Sequence, residues 1–304
     1  MAEFLGVDTS NYTTSLAVSD EKEVTLNLKK LLPVAEGERG LRQSDALFHH
    51  TVQLPELAEK LGAHSLAAVG MSVRPRNAEG SYMPCFLAGK SFGTGISSLL
   101  GIPAYHFSHQ EGHIAAALYS CGREDLHGQE FLALHLSGGT TELLHCKGNE
   151  IEIIGRTLDI SAGQSIDRAG VKMGLRFPCG RELEELLGDR PLTNKVKISV
   201  KGCDCNLSGL ENKASEMIEK STDKGEIAAY IFSFVAETVS AMVSSALESY
   251  PSLPVVFSGG VMSNRAIKSL LSERFGGLFA EPQYSSDNAA GISRLTYLKY
   301  SKLI

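Results

Sequence analysis

The chain has 304 residues, 43% of them hydrophobic and 21% charged, with a formal net charge of -6. That balance suits a globular protein of two domains or one two-lobed unit, and its overall field does not attract nucleic acid, so a polyanionic partner would need a local basic patch or a partner protein. No apolar run of membrane-spanning length stands out, and no signal peptide precedes the first strand-like stretch. Six scattered cysteines without a CxxC pair do not make a disulfide framework or a thiolate zinc site. A cytoplasmic protein with no membrane role is the expectation, with the CxC at Cys203 and Cys205 read as plain thiols.

Taken in chain order, Phe4 to Leu16 (FLGVDTSNYTTSL) reads as strand, tight polar turn and second strand, and EVTLNLKK continues as a third. A helical pattern covers 42–61, in which His49 and His50 read as surface or lobe-interface residues. The apolar run LAAVGMSV (66–73) predicts a buried strand, and helical patterns follow at 91–100 and 109–121. At an offset of 127, with no gap, FLALHLSGGTTEL (131–143) repeats the opening segment. Phe, Leu, Ser, Thr, Thr and Leu are identical at equivalent positions, and EIEIIGRT again supplies a third strand. Helices at 163–174 and 225–249, a buried strand in LPVVFSGG (253–260) and helices at 264–274 and 287–302 complete the pattern. A meander repeated in two halves, each followed by helices, predicts an α/β protein of two pseudo-symmetric lobes with a central cleft. The first lobe is expected over 1–125 and the second over 126–286, with the last helix, about 287–304, packing back on the first.

Two kinds of chemistry can be read from the residues. The turn Ser137-Gly138-Gly139-Thr140-Thr141 has the makings of an anion cradle, because glycines let backbone N–H groups approach an oxyanion and the hydroxyls add donors. The turn at 9–14 lacks glycine but offers hydroxyls. The stretch Phe257 to Arg265 follows a strand and opens a helix, so glycine-exposed amides and a helix N-terminus point to one place. In His109-Gln110-Glu111-Gly112-His113, two imidazoles at i and i+4 share one helix face and can reach one cation, while Glu111 points elsewhere. Asp287 reads equally well as a helix N-cap and as a third ligand. His135 occupies the position equivalent to Asp8 in the first repeat, which suggests that both point inward.

Six blocks then resemble one family: HQEGH (109–113), LALHLSGGTTEL (132–143), DISAGQSIDRAGVKMGLRFPCG (159–180), NLSGLENK (206–213), SGGVMSNR (258–265) and SSDNAAG (285–291). Their order and spacing are similar to those of the TsaD-type tRNA threonylcarbamoyladenosine transferases, members of the actin/hsp70/sugar-kinase superfamily. The resemblance implies that duplicated two-lobe fold. It implies one metal ion, iron or zinc, held by His109, His113 and Asp287, with His135 a candidate fourth ligand where some relatives place a tyrosine. It further implies that Leu136, Ser137, Gly138, Gly139, Thr140, Asp167, Gly180 and Asn264 hold an ATP- or AMP-type nucleotide or an acyl-adenylate, with Asp167 accepting from ribose hydroxyls. The implied activity is metal-dependent transfer of a threonylcarbamoyl group from its adenylate to an adenosine next to the tRNA anticodon, with tRNA and related subunits of a threonylcarbamoyl-transfer complex as partners. No residue presents itself as a nucleophile, which fits attack by the substrate's own amine; Asp8 is the candidate for a catalytic carboxylate.

Three loops depart from the family. Asn11-Tyr12-Thr13-Thr14 stands where a cysteine–acidic–acidic–threonine run is usual. Val73 to Gly80, with Arg74 and Arg76, replaces a glycine–proline–glycine loop, and Glu211 replaces a lysine. These departures keep two alternatives open: a paralogue performing another carbamoyl or acyl-adenylate transfer, and a non-catalytic nucleotide-binding partner subunit.

Overall fold

The computed structural model describes residues 2–10, 12–33, 41–148, 150–193 and 195–304. The chain forms two compact units, Met1–His127 with Asp287–Ile304, and Gly128–Ser286.

In the first unit β1 (Glu3–Ser10), β2 (Thr13–Ser19) and β3 (Val24–Leu31) form an antiparallel meander. After α1 (Gln43–Leu61), strand β4 (Leu66–Arg74) adds parallel to β1; after α2 (Phe86–Leu100), β5 (Ala104–Ser108) adds parallel to β4 and runs directly into α3 (His109–Ser120). The sheet order is β3-β2-β1-β4-β5. The side chains of Leu5, Val7, Leu16, Val18, Val69 and Met71 pack with Leu54 and Leu57 of α1 and Ala88 of α2 in one buried cluster. His50, expected at the surface or a lobe interface, takes an interior position. It is fully buried, 2.8 Å through Nδ1 from the Thr14 hydroxyl, which also donates to Gln53 at 2.7 Å.

The second unit repeats the plan. Strands β6 (Glu130–Leu136), β7 (Thr141–Lys147) and β8 (Glu150–Arg156) form the meander. They are followed by α4 (Ala162–Lys172), α5 (Gly180–Leu187), a small hairpin of β9 (Ser199–Lys201) and β10 (Asp204–Asn206), α6 (Gly209–Glu219) and α7 (Lys224–Ser249). Then come β11 (Val255–Ser258), α8 (Arg265–Phe275), β12 (Leu278–Phe279) and α9 (Pro282–Ser285), and the sheet order is β12-β11-β6-β7-β8. The gap-free offset of the two sequence repeats survives in the hydrogen-bond register. Asp8 pairs with Ser15 as His135 pairs with Glu142, and Thr9 pairs with Thr14 as Leu136 pairs with Thr141. Helix α7 amends one sequence expectation, since it is long and apolar enough to cross a membrane; 78% of its most apolar stretch is instead buried within this unit.

The last helix, α10 (Ala290–Tyr300), belongs to the first unit and contacts α3, β1 and β4. Glycine makes that position available. A Cβ on Gly6 of β1 would lie 2.5 Å from the Ala289 carbonyl oxygen, and one on Gly291 would lie 1.9 Å from the Gly112 carbonyl oxygen of α3. Neither contact is tolerable against backbone, so α10 enters where these two glycines carry no side chain. Arg294, 2% exposed, then fastens the helix. It donates to Glu124 at 2.8 and 2.9 Å and to the Asp20 carbonyl at 2.8 Å, with its guanidinium over the rings of Tyr119 and Tyr297. A buried charge so completely paired escapes the desolvation cost that an unpaired one would carry.

Candidate functional site

The cation-type site lies within the first unit. Helix α3 starts abruptly because Ser108 caps it: its hydroxyl accepts the Glu111 N–H, while the Glu111 carboxylate accepts the Ser108 N–H at 2.6 Å. This box fixes His109 as the first helical residue and turns Glu111 back to the cap. His113 follows one turn later on the same face, its ring centroid 4.2 Å from that of His109.

Asp287 arrives from the loop before α10. It does not cap that helix, whose N-cap position is Ala289; Asn288 just ahead of it accepts the Ala290 N–H through its side-chain oxygen at 3.0 Å. The cap reading of Asp287 is therefore replaced. One of its carboxylate oxygens lies 3.2 Å from His113 Nε2 and 3.5 Å from His109 Nε2. The close crossing of α3 and α10 at Gly112 and Gly291 sets this separation, because Asp287 lies just upstream of Gly291.

Three N and O atoms, all within 4.8 Å of one another, form a group able to hold a metal ion. Donors about 2.1 Å from one ion at tetrahedral angles stand about 3.4 Å apart, so the observed spacings fit a transition-metal cation. Burial disfavours the charged imidazole of His109, but the carboxylates of Asp8 and Asp287 outweigh it and hold the group up to about 10. Burial likewise opposes ionisation of Asp287, and the two histidines overcome this, keeping its carboxyl well below the usual range.

Asp8, the candidate catalytic carboxylate, is 1% exposed and sits behind His109, 2.8 Å from Nδ1. In the turn that follows, Asn11 lies outside the described residues. The hydroxyl of Thr9 donates to the Cys85 carbonyl and accepts the Gly89 N–H, and that of Thr14 is taken by α1, so these two serve helix attachment. The Ser10 hydroxyl has no partner among the described residues.

The nucleotide candidates fall in the second unit. The turn between β6 and β7 is closed by the Ser137 N–H to the Thr140 carbonyl at 2.8 Å and by the Thr140 N–H to the Ser137 hydroxyl at 3.1 Å. Helix α4 backs it. Ser161, in a capping box with Gln164, donates its hydroxyl to the Gly138 carbonyl at 2.7 Å, and Gly163 packs so closely that a Cβ would lie 2.6 Å from Gly138 Cα. From the β11 side, Gly259 at φ +96° lies against Leu136. In contrast, a Cβ added at Gly138, Gly139, Gly180 or Gly260 would meet nothing within 4 Å. Neither packing nor a positive φ requires glycine at these four positions, which leaves backbone open to an approaching ligand.

Asp167 accepts the Cys179 N–H at 2.8 Å through one oxygen, tying α4 to the start of α5, and burial pushes its carboxyl above the ordinary value. Asn264 caps α8 through Oδ1, to the Ile267 N–H at 3.0 Å, while its buried Nδ2 has no partner among the described residues. His135, the candidate fourth ligand, lies in this unit with Nδ1 3.0 Å from the Ser258 hydroxyl on the neighbouring strand.

Sequence reasoning assigned no role to Asp159 or Ser161. Burial works against ionisation of Asp159, yet N–H groups of Leu207, Ser208 and Ile160 hold its carboxyl far below the ordinary range and fix the loop that presents Ser161. The Ser-x-x-Gln spacing at 161–164 was the available signal. Of the departing residues, Arg74 gives both Nε and Nη2 to Asn77 Oδ1 at 2.9 and 2.7 Å, and Glu211 pairs with Lys172 at 2.9 Å and Arg168 at 3.6 Å.

Known proteins place this arrangement. The solved structures most useful for the fold are component A of (R)-2-hydroxyglutaryl-CoA dehydratase from Acidaminococcus fermentans (TM-score 0.57, 17% identity, 99% of this chain and 100% of that one) and a ROK hexokinase from Thermus thermophilus (TM-score 0.53, 14% identity, 99% of each). Full-length HypF also matches, at TM-score 0.60 and 15% identity over 99% of this chain and 46% of that one. These likenesses show the duplicated sugar-kinase-type fold. A curated tRNA N6-adenosine threonylcarbamoyltransferase from Archaeoglobus fulgidus is 27% identical over 97% of this chain and 91% of its own length. The family model described as tRNA N6-adenosine threonylcarbamoyltransferase matches residues 45–294, a span that includes His109, His113, Asp287 and all of the nucleotide candidates, and the chain belongs to that family.

Proposed function

We propose that this chain transfers a threonylcarbamoyl group from threonylcarbamoyl-adenylate to the exocyclic amine of an adenosine beside the tRNA anticodon. The observation that carries the reading is the donor spacing of 3.2 and 3.5 Å around Asp287, in a chain of this family. In the reaction the amine nitrogen forms a bond to the carbamoyl carbon, the bond from that carbon to the phosphate oxygen breaks, AMP leaves, and the amine loses a proton to solvent. His109, His113 and Asp287 hold one iron or zinc ion, which when bound supplies Lewis-acid polarisation of a substrate oxygen. In the second unit the Ser137–Thr140 turn offers N–H and hydroxyl donors to the phosphate. The second oxygen of Asp167 would accept from ribose hydroxyls, and Asn264 Nδ2 would donate to the nucleotide. No protein nucleophile is needed, because the substrate's amine attacks directly.

A second reading, transfer of another carbamoyl or acyl group from an adenylate, draws on the departing loop residues and on Glu211, whose carboxylate neutralises Lys172 and Arg168 where the family has a further cation. One assay separates the readings. Protein loaded with iron or zinc is incubated with threonylcarbamoyl-adenylate and bulk unmodified tRNA, and the digested tRNA is analysed for the modified nucleoside. Product that disappears in His113→Ala supports the first reading. Tight adenylate binding without product, with related subunits supplied, moves the assignment to the second.

A further inference from the structure

We infer that Asp8 is a positioning residue for the metal centre: it holds His109 in the one orientation and tautomer that turn Nε2 toward the cation. The inference rests on the metal reading above and deepens it. Both oxygens of Asp8 are engaged. Oδ1 accepts the Ser10 N–H at 2.8 Å, and Oδ2 lies 2.8 Å from His109 Nδ1. The residue is 1% exposed, on the middle strand of the five-stranded sheet, and its carbonyl also accepts the Ser15 hydroxyl at 3.2 Å. So confined, both carboxylate oxygens are committed to groups of the fold itself. What the carboxylate can do is keep a proton on Nδ1.

The two ring nitrogens of an imidazole face opposite ways. With Nδ1 bonded to Asp8, Nε2 is directed to Asp287, 3.5 Å away, where a cation needs a lone pair. A carboxylate behind a ligating histidine fixes the ring, selects the tautomer and makes the ligating nitrogen more basic; losing such a support costs roughly 10–100-fold in metal affinity. The rigidity of the support comes from the first repeat, because the Ser10 N–H that locks Oδ1 belongs to the end of the same strand.

The test compares Asp8→Asn with His113→Ala by calorimetric titration of metal-stripped protein with Zn2+, with AMP binding as the control for an intact second unit. In Asp8→Asn the side-chain oxygen keeps the Ser10 N–H and the NH2 group faces Nδ1, which forces the ring proton onto Nε2. Zn2+ affinity is expected to fall about 10–100-fold, while His113→Ala abolishes stoichiometric binding. Unchanged affinity in Asp8→Asn, with His113→Ala inactive in binding, would overturn the positioning role and leave the metal site standing. Unchanged affinity in His113→Ala would overturn the metal site itself. Should Asp8→Asn fail to fold, nitrogen NMR of the zinc-loaded wild type decides: metal on Nε2 and a proton on Nδ1 of His109 supports the inference, and the reverse arrangement sinks it.

Discussion

The two five-stranded sheets share strand order and register, yet their first turns are finished differently. In the first unit the turn after β1 carries no glycine, and its Thr9 and Thr14 hydroxyls are consumed by α2 and α1. In the second, the matching turn has Gly138 and Gly139 with open space beside them, backed by Ser161. At the equivalent position just before each turn, Asp8 supports a histidine of α3, whereas His135 meets a serine of the neighbouring strand. One repeated frame thus presents two different sets of donors. Imidazole and carboxylate donors collect in one copy, and backbone N–H groups in the other. Function in a duplicated fold is set by which turn residues are spent on packing and which are left exposed.

The largest effects should come from breaking each copy at its own glycine. Gly291→Ala places a methyl group against the Gly112 carbonyl, and Gly259→Ala places one 2.0 Å from the Leu136 carbonyl at a φ that disfavours side chains. Each should destabilise its unit by about 3 kcal/mol or more. Metal retention should be lost in the first and AMP binding in the second, measurable by elemental analysis, calorimetry and thermal unfolding. If both variants lose both ligands, the division of labour between the copies fails.

Next in size, His113→Ala should remove the approximately one metal per chain expected for a single three-donor site without altering AMP affinity. A wild-type protein that binds AMP but takes up no iron or zinc would dismantle the metal half of the comparison. A sharper probe of the other half is Gly139→Val. The added Cβ meets nothing within 4 Å, so stability should change by no more than about 0.5 kcal/mol, while AMP affinity should drop roughly tenfold or more, a loss of about 1.4 kcal/mol. Asp167→Ala should weaken the same binding; undiminished affinity in calorimetry would withdraw Asp167 from the site.

The smallest effect is a pH dependence confined to the first unit. Burial, reinforced by Arg294 and opposed by Glu124, lowers the affinity of His127 for a proton in the folded state. Below about pH 6.5, where an unfolded histidine begins to bind a proton, the unfolded chain takes up more protons than the folded one, so stability declines as the pH falls. His127→Gln should flatten the fall in thermal midpoint below that pH. A curve identical to wild type would show that His127 does not contribute.

Much of this was legible in the sequence where a local pattern was reinforced at long range. The gap-free repeat revealed both meanders, because register in a hairpin follows directly from sequence spacing. The histidine pair was visible because i and i+4 share a helix face. What spacing could not resolve was Asp287, whose position just ahead of a helix fits a cap as well as a ligand. Only the packing of Gly291 on Gly112, 179 positions apart in number, brings it to the histidines. Strand β5 and helix α5 escaped notice because five and eight residues are too few to establish a period. His50 was misplaced because a histidine bonded to a threonine far along the chain has no local mark. The interior polar network, and the backing of the glycine turn by Asp159 and Ser161, are likewise contacts between segments distant in the chain.

The return of α10 to the first unit bears on how the molecule is made. Residues 128–286 are continuous, so the second unit can complete its own contacts while the ribosome is still working. The first unit emerges earlier but must wait, Gly6 and Gly70 of its sheet still uncovered by α10 and its histidine pair holding Asp8 but lacking Asp287, until Asp287 and the helix after it have been synthesised. The half translated first is therefore the half finished last, and a nascent chain has the Ser137–Thr140 turn in place before Asp287 can join His109 and His113.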